Sequence, residues 1–310
     1  MDVYARSYAT CVHLVNMDKI IEKAATLVEA FPYIRSFRDK IVVLKYGGST
    51  QPDEGGSATV LADLVFMETV GMRPVVIHGG GKEISRRLEE EGVQSQWVNG
   101  LRVTDAESMR VVEETLFGVV NKRIVEGIEQ LGGSARGMSA KDAEIMRVTR
   151  HFAEVEEDGE TKQVDIGFVG DVAHIDPEPI RRACEGGTIP VITPIGLGED
   201  GQSYNVNADT AAGEIARALQ SEKLVFLTDV NGICHDASDP ASRISTLHVN
   251  DIEELIDNGT IKGGMIPKVR AGERSVKGGV SKTHIIDGSV PHSQLLEVFT
   301  REGIGTEIVQ

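Results

Sequence analysis

The 310-residue chain is poor in cysteine: Cys11, Cys184 and Cys234 are the only three. They form no CxxC pair and leave an odd count. That argues against a disulfide framework or a structural zinc site, and it makes a reducing cytoplasm the expected setting. Positive charge is scarce too, with Lys and Arg totalling 32 against 48 Asp and Glu, a net charge of −16. A protein living on nucleic acid or on an anionic membrane needs a basic face, so neither partner is expected. No apolar run approaches the roughly 20 residues that span a bilayer. The N terminus has no apolar core with a cleavage site, so no signal peptide is expected. The histidines form no HExxH or other metal-spaced cluster, and no protein-held metal is expected.

Hydrophobic residues make up 40% and charged residues 26% of the chain. That is close to the soluble average, and the length suits one large α/β domain or two lobes. Glycine is the excess: 34 residues, against a usual share of ~7%. The glycines cluster at the ends of apolar runs.

Residues 1–16 show no clear period and read as a mobile arm. From Asp18, a plausible N-cap, Ile20, Ala24, Leu27, Val28 and Phe31 follow at helical spacing, and Pro32 is expected to kink or end that helix. Ile41-Val42-Val43-Leu44 is an uninterrupted apolar run, as in a strand buried on both faces, and it ends in Lys45-Tyr46-Gly47-Gly48. The alternation repeats with a helix near 56–71, a strand at 74–78, helices around 82–91 and 105–131, and weaker strands at 134–150. A hairpin is expected within 151–170. A helix near 178–185, the strand 189–193, a helix over 208–219 and the strand 224–227 follow. Helices near 250–258 and 266–277, a strand at 284–286, a helix over 291–301 and a last strand at 306–309 complete the chain. This order predicts a largely parallel sheet covered by helices. The Gly-rich stretch 195–202 is the best candidate for a lobe boundary.

Three strands end in glycine-bearing loops: Lys45-Tyr46-Gly47-Gly48, His78-Gly79-Gly80-Gly81 and Thr228-Asp229-Val230-Asn231-Gly232. Open α/β sheets bind ligands at this edge, and glycine lets backbone N–H groups approach an anion. Neither common nucleotide fingerprint fits. Ile84 stands where a dinucleotide motif needs Gly or Ala, and Glu83 follows Lys82 where a P-loop needs Ser or Thr. An anion site also needs fixed positive charge. Lys45 at a strand end, Lys268 in the first turn of a helix after Pro267, and Arg102 in Asn99-Gly100-Leu101-Arg102-Val103-Thr104 are the candidates, each weighed against a solvated surface charge. In Asn205-Val206-Asn207-Ala208-Asp209, Asn207 or Asp209 could serve merely as a helix cap.

These segments, with Leu227-Thr228-Asp229-Val230 and Gly264-Met265-Ile266-Pro267-Lys268, resemble the acetylglutamate kinases of the amino-acid kinase family, from about Lys40 to the C terminus. The resemblance implies a three-layer αβα sandwich with a central, mainly parallel sheet. It divides the chain into an N-terminal arm and helix (1–39), a substrate lobe (40–200) and a lobe for nucleotide and arginine (201–310). It implies ATP-dependent phosphorylation of the side-chain carboxylate of N-acetyl-L-glutamate, with Mg2+ held mainly by the phosphates. Lys45 and Lys268 would bind the transferring phosphoryl group, and Asp209 would orient both. Gly80, Gly81, Arg102 and Asn205 would bind the acceptor, while Gly48, Thr228, Asp229, Gly232 and Lys262 would line the nucleotide site. The Phe31-Pro32-Tyr33-Ile34 helix and the ending Leu295 to Thr306 are similar to arginine-inhibited members. There Tyr33, Lys223, His284, Glu297, Gly303 and Gly305 would bind L-arginine, and the N-terminal helix would join dimers into a hexamer. The resemblance also admits a PII-type signalling protein as partner. The rivals are a kinase for another blocked amino acid, a nucleotide or carbamate kinase, and a non-catalytic arginine sensor.

Overall fold

A computed structural model describes residues 3–47, 57–139, 145–157, 160–236, 238–299 and 303–310. The strands in chain order are β1 (Ile41–Tyr46), β2 (Arg73–His78), β3 (Trp97–Val98), β4 (Leu101–Arg102), β5 (Ala135–Met138), β6 (Met146–Glu157), β7 (Glu160–Ile175) and β8 (Ile189–Ile192). They continue with β9 (Ile195–Gly198), β10 (Ser203–Asn205), β11 (Lys223–Thr228), β12 (Thr246–His248), β13 (Lys282–Asp287) and β14 (Thr306–Val309).

The main sheet has eight strands in the order β12-β14-β13-β11-β1-β2-β8-β5. Every pairing is parallel except β13 with β14. Side chains alternate across each strand, so each apolar run feeds two cores at once. Val43, Val75, Ile77, Leu224, Phe226 and Ile285 face the helices Ala208–Leu219 and Met265–Lys277. Val42, Leu44, Val76, Val225, Leu227 and Ile286 face the helices Ser57–Thr69 and Lys122–Gln130. The result is the expected three-layer αβα sandwich.

β1 leads to β2 on one side, while β11 pairs on its other side. The glycine-ended strands β11, β1 and β2 are therefore neighbours, with Lys45 level with Phe226 and Ile77. The crevice at their carboxyl ends is the place where chain direction reverses, and such a switch point is where open α/β sheets bind ligands.

Beside the sheet, β10-β7-β6-β9 close into a small barrel. The expected hairpin over 151–170 is much longer, running from Met146 to Ile175. Register shifts between Arg147 and Val148 and between Arg150 and Phe152 break the two-residue alternation, which is why the strand pattern looked weak. The stretch 195–202 lies in this barrel as β9 and the turn to β10. Its glycines permit closure, because a Cβ at Gly196 would stand 2.1 Å from Val148 and one at Gly198 2.5 Å from Tyr204.

The N terminus departs from expectation. Instead of a mobile arm followed by a helix from Asp18, one helix runs from Val3 to Phe37, and of the two outcomes expected at Pro32, a kink or an end, the end does not occur, because Pro32 lies inside it. A helical proline forfeits the bond to the carbonyl four residues earlier. Val28, which carries that carbonyl, is 73% exposed, so water can take the bond. Tyr33 and Phe37 then hold the last turn by packing on Phe299 and the adjoining core. Among the described residues, no helix is long and apolar enough to cross a membrane.

Candidate active site

An ion triad stands at the switch point. The Asp209 carboxylate takes the Lys45 Nζ at 2.8 Å on one oxygen and the Lys268 Nζ at 3.0 Å on the other. Lys45 comes from the end of β1, Lys268 from the first turn of the Met265–Lys277 helix and Asp209 from the start of the Ala208–Leu219 helix. The capping question resolves by division of labour. Asn207 Oδ1 accepts from the amides of Asp209 and Thr210, which leaves the Asp209 side chain for the lysines. Burial opposes ionisation of Asp209, yet the two ammonium groups outweigh it and hold the carboxyl below its ordinary range.

The triad borders a cavity of about 230 Å³ lined by Lys45, Gly79, Gly80, Gly81, Arg102, Asn205 and Asp209, among others. All four residues expected to bind the acceptor thus share one cavity with two of the three expected catalytic groups. Arg102 is 5% exposed. Its guanidinium donates to Ser85 Oγ at 2.7 Å, to the Gly81 carbonyl at 3.2 Å and to Ser95 Oγ. Among the described residues it has no carboxylate partner, and burial lowers its pKa. A desolvated cation held only by neutral groups is poised for an anion.

Sequence reasoning missed Trp97, whose ring lies 4.4 Å from the Arg102 guanidinium and lines the same cavity. Asn99 and Gly100, both at positive φ, turn β3 into β4 and bring Trp97 opposite Arg102. Asn-Gly is the usual signal for such a two-residue turn, so the hairpin was there to be read. Val98, Leu101 and Val103 pack on Ala153, Ile166 and Val169, which fixes this wall to the small barrel.

Of the expected nucleotide residues, Gly48 lies outside the described ones. Thr228 closes β11 and Asp229 follows it, with Thr228 Oγ1 donating to Asp229 Oδ1 at 3.2 Å. Gly232 needs to be glycine, since its φ is +89° and a Cβ would meet Thr306 Oγ1 at 2.6 Å. Lys262 is exposed in the turn leading to the Lys268 helix.

Several of the residues matched to arginine also converge around Glu297. Glu297 Oε1 lies 2.6 Å from His284 Nδ1, and Oε2 accepts the Ile304 amide at 2.8 Å. Gly303 presses against the same carboxylate, where a Cβ would come within 3.0 Å of Oε1. Gly305 approaches β13 so closely that a Cβ would stand 2.1 Å from the Ile285 carbonyl. Lys223 Nζ lies 5.4 Å from the Phe37 ring, and Tyr33 meets Phe299 edge-on at 6.5 Å. Burial opposes ionisation of Glu297, but the bonds from His284 and Ile304 outweigh it and bring the carboxyl down to about 2. Because the folded pKa is depressed, this stabilisation is complete above the ordinary glutamate pKa and is lost as pH falls through about 2. Urea titrations between pH 5 and pH 2 should show a shallower acid loss for Glu297→Gln than for the parent. Identical slopes would remove Glu297 from the acid transition.

Comparison with known proteins gives the family. The Amino acid kinase family matches residues 40–287. The chain is 50% identical over 295 residues to the acetylglutamate kinase of Heliobacterium modesticaldum, covering 95% of this chain and 100% of that one. It is 51% identical over 289 residues to the acetylglutamate kinase of Moorella thermoacetica, covering 93% and 98%. Among solved structures, the N-acetylglutamate synthase of Neisseria gonorrhoeae with coenzyme A and N-acetyl-glutamate superposes with a TM-score of 0.77 at 27% identity. The match covers 93% of this chain but 63% of that one, so the chain spans under two thirds of the synthase. Carbamate kinase from Giardia lamblia bound to AMP-PNP, at a TM-score of 0.60 and 16% identity, shares the fold.

Proposed function

The chain belongs to the amino acid kinase family, and on that premise we propose that it phosphorylates N-acetyl-L-glutamate in arginine biosynthesis. The side-chain carboxylate attacks the γ-phosphorus of ATP, the bond to the bridging oxygen breaks, and N-acetyl-L-glutamyl 5-phosphate and ADP leave. The observation that carries this reading is the buried Arg102, without a carboxylate partner among the described residues, opening on the cavity that Lys45 and Asp209 border. Arg102 takes the α-carboxylate, which sets the side-chain carboxylate toward the lysines. That nucleophile is already ionised at neutral pH, so alignment and charge neutralisation supply the catalysis and no base is needed.

Lys45 and Lys268 neutralise the transferring phosphoryl oxygens, Asp209 keeps the two ammonium groups together, and the glycine-loop amides add donors. On this reading Thr228, Asp229, Gly232 and Lys262 receive the nucleotide. Among the described residues no three His, Cys, Asp or Glu side chains converge on a metal site. The lysines and amides instead suit the oxygens of a polyphosphate, and those oxygens would hold Mg2+, whose charge further neutralises the phosphates. The cytoplasm, where ATP and reduced thiols coexist, is the fitting compartment. Trapping of acyl phosphate with hydroxylamine should give the highest rate with N-acetyl-L-glutamate. Faster turnover of glutamate, an aminoadipate derivative or carbamate would overturn the assignment.

The Glu297 cluster supports a second part of the reading, feedback by L-arginine. A carboxylate has about four acceptor positions, so Glu297 can take a guanidinium beside His284 and Ile304. The helix Val3–Phe37 carries Tyr33 to this cluster while Ile20, Leu27, Val28 and Phe31 remain 56% to 73% exposed. Such a face calls for a partner, and a second copy's helix, joining dimers into a hexamer, provides one. The full chain should therefore scatter light as a hexamer inhibited by arginine, and deletion of residues 1–38 should leave an active, insensitive dimer. A full-length dimer indifferent to millimolar arginine would refute the regulation and leave the kinase standing. The retained triad argues against a pure arginine sensor, which has no use for it.

A further inference from the structure

Beneath the acceptor cavity lies a fully buried polar chain that the reaction above leaves unused. His78, at the end of β2, is 0% exposed. Its Nδ1 stands 2.9 Å from the Gly79 carbonyl, and its Nε2 stands 3.3 Å from Thr193 Oγ1 and 3.2 Å from Asn121 Nδ2. Asn121 Nδ2 in turn donates to the Val191 carbonyl at 2.8 Å and to Thr193 Oγ1 at 3.1 Å. One consistent set of protons satisfies the whole chain. Asn121 donates to Val191 and Thr193, the Thr193 hydroxyl donates to His78 Nε2, and Nδ1–H donates to the Gly79 carbonyl. Burial of the imidazole, only partly offset by the Gly79 bond, lowers its pKa to about 4, so it is neutral at working pH.

Two further features are built around this chain. The helix spanning 106–130 widens to a π-turn at Leu116–Asn121, a distortion that recurs at functional sites. One end of that turn sets Leu116 against Gly80, where a Cβ would come within 2.4 Å of its Cδ2. The other end puts Asn121 under His78, and Gly137 makes room for it, since a Cβ there would lie 2.2 Å from Asn121 Oδ1. The Gly79 amide is tied as well, donating to the Tyr46 carbonyl at 2.9 Å. Gly80 N–H has no partner among the described residues, and Gly80 lines the acceptor cavity.

A trans peptide is planar, with C=O and N–H pointing in opposite directions. Holding the Gly79 carbonyl down onto His78 therefore turns the Gly80 N–H up toward the cavity. We propose that Asn121, Thr193 and His78 are positioning residues that aim the Gly80 amide at the transferring phosphoryl group, so that Gly80, matched by resemblance to the acceptor, serves the group passing to it. This rests on the kinase reading, because the amide needs a developing negative charge to meet. It also explains why a histidine, with a donor and an acceptor on opposite sides of a flat ring, ends β2.

Thr193→Val removes the relay hydroxyl at nearly constant volume. With one donor misaimed, kcat should fall ~10- to 100-fold, while KM for N-acetyl-L-glutamate, set by Arg102, changes less than ~3-fold. Thr193→Ser restores the hydroxyl and should restore kcat. An unchanged kcat in Thr193→Val, or equal damage in Thr193→Ser, overturns the proposal. A second measurement needs no variant: nitrogen-15 NMR of the parent should find His78 as the Nδ1–H tautomer and uncharged at pH 5. The Nε2–H tautomer, or protonation near pH 6.5, overturns it equally. Failure of the kinase reading would show separately, as absent turnover in the parent protein.

Discussion

Replacing Lys45 or Lys268 with alanine is expected to lower kcat by at least ~100-fold, the scale of deleting one charge-stabilising donor. The ground for this is the shared carboxylate. Asp209 holds the ammonium groups at 2.8 Å and 3.0 Å on its two oxygens, in a protein whose net charge is −16. Both substrates are anionic, so this local surplus of positive charge must be concentrated where the phosphoryl group passes. Asp209→Asn should lose a comparable factor by a different route. The two lysines would then repel across a neutral amide and drift from the line of transfer, while the Asn207 cap keeps the helix start in place. Rapid-quench measurement of the chemical step, with circular dichroism as the folding control, checks all three. A folded Lys268→Ala protein with near-parental turnover would take Lys268 out of the mechanism.

Arg102→Leu should separate binding from chemistry. If Arg102 takes the α-carboxylate, as proposed, that contact is remote from the reacting carboxylate, is made equally in ground and transition states and appears in KM. A charge-assisted pair of this kind contributes about 3 kcal/mol, which corresponds to a KM increase of ~100-fold. Stability should move the other way. Arg102 is 5% exposed, and among the described residues its guanidinium meets hydroxyls, a carbonyl and the Trp97 ring but no carboxylate, so removing it relieves a buried charge without an acidic partner there. The expected outcome is a folded enzyme with an unchanged or higher melting temperature and a crippled affinity for N-acetyl-L-glutamate. A KM within ~3-fold of the parent would mean that the α-carboxylate binds elsewhere.

Much of this protein was legible residue by residue. The uninterrupted apolar run at Ile41–Leu44 read as a strand buried on both faces and 224–227 as another strand, and both are buried strands of the main sheet. The helix bounds at Ala208 and Leu219 follow from the Asn207 cap and the apolar spacing behind it. The lysines, Arg102 and the glycine loops stood out because each is costly unless it meets an anion, a property of the residue type that needs no partner to be known. Local chemistry decides these things because its cause lies within a few residues along the chain.

Tertiary structure alone decided the rest. That β11 inserts beside β1, and so brings Asp209 and Lys268 to Lys45, depends on two faces being buried at once by helices distant in sequence. The small barrel was obscured because its bulges break the alternation, and its glycines make sense only against Val148 and Tyr204. The N-terminal helix passes through Pro32 because an exposed carbonyl can turn to water and Phe299 waits for Tyr33. Whether Arg102 is neutralised, and what lies under Gly79, are questions about absent or buried neighbours. A sequence records each group's capacity to bond; which capacities remain open at the cavity is settled only when the chain closes around them.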